Sequence, residues 1–366
     1  MKIAKKIFGK NYLFKCDDSF KSTLIPSIDL YPDGDENNVH VIVNVQEDLP
    51  NGTFLSNNPS EFFKSDDSFT FKYYKGKIQW SYDKMSDILH VYLIYRIPKG
   101  GLKKTIRKFR SMEFSTNVEE FQQILHEVVL VPSVYFLPDR AVVHSAVISF
   151  NDKAIMLAGT GGVGKTSAAL SLRNDARISF VADDIAIISP EGEVYSNLAW
   201  PKVYGYNLSS YISKKELLEG RGFIDKFQFD YKVRKNPKKV RRKMKPNVLY
   251  KQHRNSNTEL RKVLYLFRDN SDSIYSSPLK KEDAIEMGIH VMKTEYNKIL
   301  HDNLEWDRYN SIGKGVEPFV KLEDIFEKWR HILEKAFEGT DVQLLHIPFD
   351  LPHEKYLESV HKYILA

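Results

Sequence analysis

The sequence predicts an α/β fold that is built around a phosphate-binding loop and preceded by a β-rich N-terminal region. Residues 159–166 read Gly-Thr-Gly-Gly-Val-Gly-Lys-Thr and match the pattern G-x-x-x-x-G-K-[ST] at every fixed position. The apolar run Ala154–Ala158 before the loop is typical of a buried strand, and Thr166–Arg173 after it has the Ala and Leu content of a helix. Strand, glycine-rich loop and helix in this order form the context in which the pattern binds phosphate.

The loop itself predicts a nucleotide site. Its glycines allow the backbone N–H groups to turn inward and form an anion nest, beside the positive end of the following helix. We expect Lys165 to reach the β- and γ-phosphates and the Thr166 hydroxyl to ligate Mg²⁺. The predicted cofactor-binding residues are Gly159, Thr160, Gly161, Gly162, Val163, Gly164, Lys165, Thr166 and Ser167.

Two adjacent carboxylates end the next predicted strand. The segment Phe180–Asp184 reads Phe-Val-Ala-Asp-Asp and is followed by the apolar run Ile185–Ile188. One carboxylate can complete the Mg²⁺ shell with Thr166, and the other can take a proton from an attacking hydroxyl. We expect Asp183 and Asp184 to share these two roles. The alternative, a surface turn with two solvated Asp residues, is disfavoured by the apolar runs on both sides.

A histidine precedes the loop inside another β-branched run. His144 lies within Arg140–Ile148, which reads Arg-Ala-Val-Val-His-Ser-Ala-Val-Ile. Taken alone, a histidine in such a run is more often packed in a strand than catalytic.

These segments resemble the HPr kinase/phosphorylase and phosphoenolpyruvate carboxykinase superfamily. HPr kinases carry motifs similar to R-x-S-x-H-G, then a strand, G-x-S-G-x-G-K-S, a helix and V-A-D-D. The matching residues in this sequence are Arg140, His144, the 159–166 loop and Val181–Asp184. Ser145 stands where the family has Gly. Glu219–Asp225 keeps the E-x-R-G of a second family motif, and its alternative reading is a helix that ends on glycines.

The resemblance implies a P-loop kinase core of the HPr kinase/carboxykinase type. It implies catalytic roles for Asp183, Asp184, His144 and Lys165 around the γ-phosphate, with Thr166 and the two Asp residues as metal ligands. The function hypothesis is therefore an ATP- and Mg²⁺-dependent kinase that phosphorylates a hydroxyl of a serine side chain or of a small molecule. The sequence does not separate ATP from pyrophosphate.

Two other functions stay open. One is a P-loop ATPase that switches conformation without an acceptor, and the other is a non-catalytic nucleotide-binding module. The GTPase version of the switch is disfavoured because the guanine motif N-K-x-D is absent from the sequence.

Composition is ordinary for a globular protein, with 42% hydrophobic and 28% charged residues among 366. No apolar stretch reaches the length of a membrane span, and Met1–Lys15 lacks the apolar core of a secretory signal. A single cysteine, Cys16, excludes an internal disulfide framework. We expect a cytoplasmic protein with no membrane partner, and a homo-oligomer is possible.

The basic character is local. Lys232–Lys245 carries nine of the 54 Lys and Arg residues, and the remaining 45 face 48 acidic residues, a net charge of −3. The segment is interpreted either as a solvated loop or as a flap that grips nucleotide phosphates or an acidic acceptor. Nucleic-acid binding is unlikely because no aromatic residues interleave the run.

The chain divides near residue 125 into a β-rich region of unknown role, 1–125, and a P-loop domain, 126–366, with a basic insertion near 210–258. In the first part, Val39–Val45 and Ile88–Ile97 are strand-like, and Ser56–Asp67 is turn-rich. Val118–Val131 predicts an amphipathic helix. The later predicted elements are a strand at Arg261–Phe267 that brings Arg261 or Arg268 near the phosphates, helical patterns at Glu282–His301 and Lys321–Phe337, a strand at Val342–Ile347 and a helix at Lys355–Ile364.

Overall fold

A computed structural model describes residues 1–48, 54–58, 61–74, 76–96, 114, 116–208 and 211–366. Within these ranges the chain forms a mixed α/β structure with two large sheets and a short two-stranded ribbon. The strands are β1 (Lys2–Ile7), β2 (Lys10–Cys16), β3 (Val41–Gln46), β4 (Ser56–Asn58), β5 (Phe62–Lys64), β6 (Ser68–Tyr73), β7 (Gly76–Asp83), β8 (Ile88–Tyr95), β9 (Ala141–Val143), β10 (Ser145–Phe150), β11 (Lys153–Ala158), β12 (Ile178–Ala182), β13 (Ala186–Ile188), β14 (Glu193–Tyr195), β15 (Lys202–Tyr204), β16 (Arg241–Lys243), β17 (Thr258–Asp269), β18 (Tyr275–Pro278) and β19 (Asp341–Pro348). The α-helices are Lys21–Ile28, Asn117–Ile124, Val131–Ser133, Lys165–Ser171, Lys214–Leu217, Phe223–Lys235, Pro246–Leu249, Lys281–Glu295, Lys298–Lys314, Leu322–Ala336 and His353–Leu365.

The N-terminal part forms a sheet in the order β1-β2-β3-β8-β7-β6-β5-β4. Strand β3 runs parallel to β2 and β8, and the other neighbours are antiparallel. Strands β3 and β8 confirm the predicted β character of their segments. The turn-rich interpretation of Ser56–Asp67 is wrong, because β4 and β5 lie within it. A contact with a distant part of the chain holds β5 in place, since Lys64 of β5 forms an ion pair of 2.9 Å with Asp307 and both side chains are buried.

The second sheet carries the phosphate-binding loop. Its path is β12-β10-β11-β17-β14-β13-β9, and β19 pairs with β17 and with β18. Strand β11 runs parallel to β17, which runs parallel to β19. Alternate side chains of β11 enter two apolar clusters: Met156 joins one cluster, and Ile155 and Leu157 join the other. Because both faces of the strand are buried, its sequence is continuously apolar.

A helical segment connects the two sheets. It starts at Asn117, where the Thr116 hydroxyl accepts from the Glu119 N–H. It continues through a π-helical stretch at Leu125–Leu130 to Ser133, which confirms most of the predicted helix. Tyr12 of β2 and Ser133 share a hydrogen bond of 2.6 Å, and one apolar cluster contains side chains of both sheets. Residue 125 lies inside this segment, and the division into two domains stays a prediction.

The basic run does not form a solvated loop, so that interpretation is wrong. Its first residues end the helix Phe223–Lys235, and β16 pairs antiparallel with β15. Arg242 is buried and forms an ion pair of 2.6 Å with Asp225. Strand pairing and partners elsewhere in the chain therefore order Arg242 and Lys243, whereas Arg234, Lys235, Lys238 and Lys239 are exposed.

The C-terminal part supports the second sheet from both sides. The helical pattern at Glu282–His301 contains two helices rather than one, because Asn297 adopts a left-handed φ of 47° between them. The helices and strand predicted between Lys321 and Ile364 are confirmed within one or two residues of their ends. No helix in the described ranges is long and apolar enough to cross a bilayer.

Candidate functional site

A cavity of about 880 Å³ opens where the phosphate-binding loop leaves β11. That volume falls in the range of small-molecule sites, roughly 300–1,000 Å³. The cavity lies at the carboxyl end of parallel strands, which is where open α/β sheets bind ligands. The predicted residues that line it are His144, Gly161, Gly162, Gly164, Lys165, Thr166, Ser167, Asp183 and Asp184.

Two loop positions require glycine. Gly159 has a φ of +133°, and a Cβ there would lie 2.7 Å from the carbonyl oxygen of Leu266 in β17. Gly164 has a φ of +114°, and a Cβ there would lie 2.7 Å from the Tyr356 ring. Both conformations are disfavoured for residues with a Cβ. The loop is thus shaped by its fit against β17 and the last helix.

The loop lysine lies folded over its own loop. The Lys165 ammonium donates to the carbonyl oxygens of Gly159, at 2.7 Å, and Thr160, at 2.8 Å. Burial lowers the pKa of Lys165, and the carboxylates of Asp184 and Asp183 partly offset that effect. Gly159 and Thr160 therefore hold the lysine, while Val163 is buried in an apolar cluster and anchors the loop.

The hydroxyls that follow Lys165 have partners on different elements. Thr166 donates to the Asp183 carboxylate at 2.7 Å, across the gap between the loop and the end of β12. Ser167 accepts from the Asn207 amide at 2.9 Å, so its hydroxyl is tied to the segment after β15. Burial and the neighbouring Asp184 raise the pKa of Asp183 to about 6. The Thr166–Asp183 contact brings two of the three predicted metal ligands together.

The Asp184 carboxylate contacts His144 and Lys202 rather than Thr166. Asp184 has a left-handed φ of 72°, and its carbonyl oxygen accepts from the Ser145 N–H at 3.1 Å. Such strained backbone is enriched at functional sites. The turn directs the Asp184 carboxylate to His144 Nε2 at 3.3 Å and to the Lys202 ammonium at 3.4 Å.

The charge state of Asp184 follows from these contacts. About half of the side chain is open to the cavity, yet the surrounding protein still desolvates the carboxyl and would raise its pKa; Lys202, and then His144, outweigh this and hold the pKa well below its usual range. Burial would lower the pKa of Lys202, yet Asp184 and Glu127 raise it above its ordinary value. Glu127 lies 2.7 Å from Lys202, so one ammonium is shared by two carboxylates. The arrangement keeps Asp184 ionised beside the loop.

Glu295 is a site residue that the sequence analysis missed. Its carboxylate accepts from the Gly161 N–H at 2.7 Å, and it lies 3.6 Å from His144 Nδ1. Glu295 ends the helix Lys281–Glu295, far from the loop in sequence, and no motif marks it. A carboxylate oxygen therefore accepts a hydrogen bond from one of the loop amides that we expect to bind phosphate.

The oxygen donors fit the magnesium ion that the motif implies. Thr166 and Asp183 oxygens lie within 2.7 Å of each other, and Asp184 follows in the chain. Across the described ranges, no group of three or more His, Cys, Asp or Glu side chains is arranged to hold a metal alone. Mg²⁺ does not require such a group, because in nucleotide sites it takes one or two carboxylates and fills its shell with phosphate and water.

Basic side chains from outside the motifs also line the cavity. Lys202 is on β15, Lys243 is on β16, and Lys238 precedes that strand. Arg268, near the end of β17, lines the cavity as one of the two predicted alternatives, whereas Arg261 is exposed on the same strand.

Two residues of the resemblance lie away from the cavity. Arg140 is buried, donates to the carbonyl oxygen of Phe8 at 2.9 Å and covers the Tyr195 ring. Arg221 of the E-x-R-G segment forms ion pairs with Glu119 and Asp225. Gly220 has a left-handed φ of 67° shortly after the helix Lys214–Leu217, as a helix-ending glycine does. Both arginines have structural contacts.

Comparison with known proteins finds similarity to solved structures. No protein-family model matches the sequence, and no curated protein matches it. Among solved structures, the HPr(Ser) kinase/phosphatase from Coxiella burnetii aligns with 62% of this chain and 97% of its own, at 10% identity and a TM-score of 0.27. A score of that size indicates a distant structural relation and supports no assignment of activity.

Proposed function

We propose that this chain is an ATP- and Mg²⁺-dependent kinase that transfers the γ-phosphate to a hydroxyl, on a core of the HPr kinase type. The observation that carries the proposal is the convergence of two contacts in one cavity. Thr166 meets Asp183 at 2.7 Å, and His144 meets Asp184 at 3.3 Å, both beside the loop that carries Lys165. Phosphoryl transfer needs a phosphate-binding loop, a pair of metal ligands and a carboxylate that contacts the acceptor.

In the proposed mechanism the loop binds and orients the nucleotide. The amides of Gly161, Gly162 and Gly164 face the phosphates, and the Lys165 ammonium leaves its carbonyl partners to contact them. Thr166 and Asp183 would hold Mg²⁺, which would supply positive charge to offset the charge on the transferred group. The Glu295 carboxylate leaves the Gly161 amide when the phosphates enter.

Asp184 is the carboxylate we assign to the acceptor. About half of its side chain is exposed, whereas Asp183 is buried against Thr166. Because Lys202 and His144 depress the pKa of Asp184, its carboxylate accepts a hydrogen bond from the hydroxyl and orients it rather than acting as a strong base. Orientation suffices, since phosphoryl transfer passes through a loose transition state in most analyses. The bond from the acceptor oxygen to the γ-phosphorus forms as the bond to the bridging oxygen of ADP breaks, ADP leaves, and the hydroxyl proton passes through Asp184 to water.

The test is transfer of label from γ-³²P-ATP with Mg²⁺ to a cell extract split into protein and small-molecule fractions. Lys165→Ala is the inactive variant, and Lys251→Ala is the matched control because Lys251 is exposed outside the cavity. Label in an acceptor, lost in Lys165→Ala and kept in Lys251→Ala, supports the kinase. Release of free phosphate with no labelled acceptor supports the switch ATPase instead.

A further inference from the structure

The ribbon of β15 and β16 places two lysines directly opposite each other. Lys202 pairs with Lys243, and Tyr204 pairs with Arg241, in an antiparallel register. Lys202, Lys243 and Tyr204 all line the cavity, so this face of the ribbon forms part of its wall. Like charges directly opposite on neighbouring strands are destabilising. The ribbon therefore holds more positive charge than its own stability favours.

The two lysines are neutralised unequally. Lys202 lies between the carboxylates of Glu127, at 2.7 Å, and Asp184, at 3.4 Å. Lys243 donates to the neutral amide oxygen of Gln122 at 3.1 Å, and within the described ranges no ion pair reaches it. Burial, and then the charge of Lys202, lower the pKa of Lys243 to about 7, although the carboxylates of Glu127 and Glu119, which form no ion pair with it, act in the opposite direction. A buried ammonium without a carboxylate gains most from an anion that enters the cavity.

Resting on the proposed kinase function, we infer that Lys243, assisted by Lys238, binds an anionic group of a small-molecule acceptor whose hydroxyl meets Asp184. The burial of Lys243 indicates that the acceptor is a small molecule. Lys243 is 4% exposed, so its ammonium is reached through the cavity and not by the flat surface of a folded protein. Lys238 is exposed at the same cavity and adds a second cation.

Phosphate and carboxylate share the chemistry that the two lysines recognise. The acceptor is thus a hydroxyl compound that already carries one of these groups. Tyr204 is held by Arg241, whose guanidinium donates to the Tyr204 hydroxyl at 2.7 Å, so the wall beside Lys243 is preformed. In this arrangement the anion of the acceptor does not use the loop amides or Lys165, which the proposed function assigns to the nucleotide phosphates.

The test is calorimetric titration of the chain saturated with Mg²⁺ and ADP, which fills the loop. The probes are glycerol 3-phosphate, glycerate and glycerol, so that phosphate, carboxylate and neutral compounds are compared. We expect the two anions to bind and glycerol not to bind. Lys243→Met should weaken the binding of both anions by at least tenfold, Lys243→Arg should restore part of it, and Lys238→Met should weaken it about threefold.

Lys245→Met is the matched control, because Lys245 is paired with Asp29 and does not line the cavity. Anion binding that is lost in Lys165→Ala but kept in Lys243→Met would place the anion at the loop and overturn the inference. Failure of both anions to bind the unaltered chain would also overturn it. Because binding is measured without transfer, a chain that binds these anions at Lys243 but never labels an acceptor would contradict the kinase proposal alone.

Discussion

The two sides of the cavity are built differently. The loop side comes from Gly159–Ser167 and the Asp pair, which are short contiguous segments at the ends of β11 and β12, the two strands that flank β10. The ribbon side joins Lys202 and Lys243 with Glu127, three residues that lie far apart in the sequence. On the loop side, hydrogen bonds and carboxylates balance the lysine, whereas on the ribbon side Lys243 has a neutral partner. The difference suggests that the reaction is set by one side and the choice of substrate by the other.

The largest effect is expected on the loop side. Lys165→Ala should reduce phosphate transfer by at least about a hundredfold, because it removes a preorganised cation from the developing charge. Steady-state kinetics of transfer would measure the loss, with Lys251→Ala as control. If the variant kept near-normal transfer and its unfolding temperature were unchanged, Lys165 and its loop would have no role in the reaction.

Asp184→Asn tests whether Asp183 and Asp184 have the separate roles proposed for them. It should lower kcat by about a hundredfold and leave the KM for ATP nearly unchanged, because the neutral amide loses the charged hydrogen bond that orients the acceptor hydroxyl. Asp272→Asn, an exposed position, is the control.

Asp183→Asn should behave differently from Asp184→Asn. Since Asp183 contacts Thr166, its loss should raise the Mg²⁺ concentration required for half-maximal transfer. A titration of Mg²⁺ with both variants checks this. Identical Mg²⁺ curves for the two variants would contradict the assignment of separate roles, and full activity in both would refute the mechanism.

Glu295→Gln should act in the opposite direction. Its carboxylate accepts from the Gly161 amide that the proposal gives to phosphate, so removing the charge should tighten nucleotide binding by about tenfold. Fluorescence titration with a labelled ADP would measure the affinity, and Glu282→Gln on the same helix is the control. Weaker binding in Glu295→Gln would show that this carboxylate supports the nucleotide instead of competing with it.

The smallest effect concerns stability on the ribbon side. Lys243 has a folded pKa of about 7 against an ordinary value of 10.5, so between these values the unfolded chain binds the extra proton. Stability should therefore rise with pH across this window, by at most about 1.4 kcal/mol per pH unit from this group. Below pH 7 the cost of burying the charge is fully present, and it disappears toward pH 10.5.

Lys243→Met should lack this contribution. Urea unfolding at pH 7, 8 and 9 should show a shallower rise with pH for Lys243→Met than for Lys245→Met. Equal slopes in the two variants would mean that Lys243 keeps its proton in the folded chain across this pH window, contrary to the lowered pKa.

The same contrast explains what could be predicted from the sequence. Strand β11, the loop and the Asp pair are local features, and their order along the chain sets their place at the sheet edge. Glu295, Lys202 and Lys243 reach the site only through sheet pairing and helix packing, so no spacing in the sequence marks them. The short strand at Ser56–Asn58 was missed for a similar reason, because Ser56 and the buried Lys64 of the paired strand both contact the distant helix Lys298–Lys314. The basic run is ordered by Asp225 and by β15, which composition alone does not reveal.

The most direct test of the whole account divides the small-molecule fraction of a cell extract on an anion exchanger before the reaction. The retained anions and the unretained compounds are then incubated separately with γ-³²P-ATP, Mg²⁺ and the chain, with Lys165→Ala as the blank. The account predicts a labelled product from the retained fraction alone. A labelled product from the unretained compounds would contradict the role of Lys243, and free phosphate as the sole product would contradict the kinase.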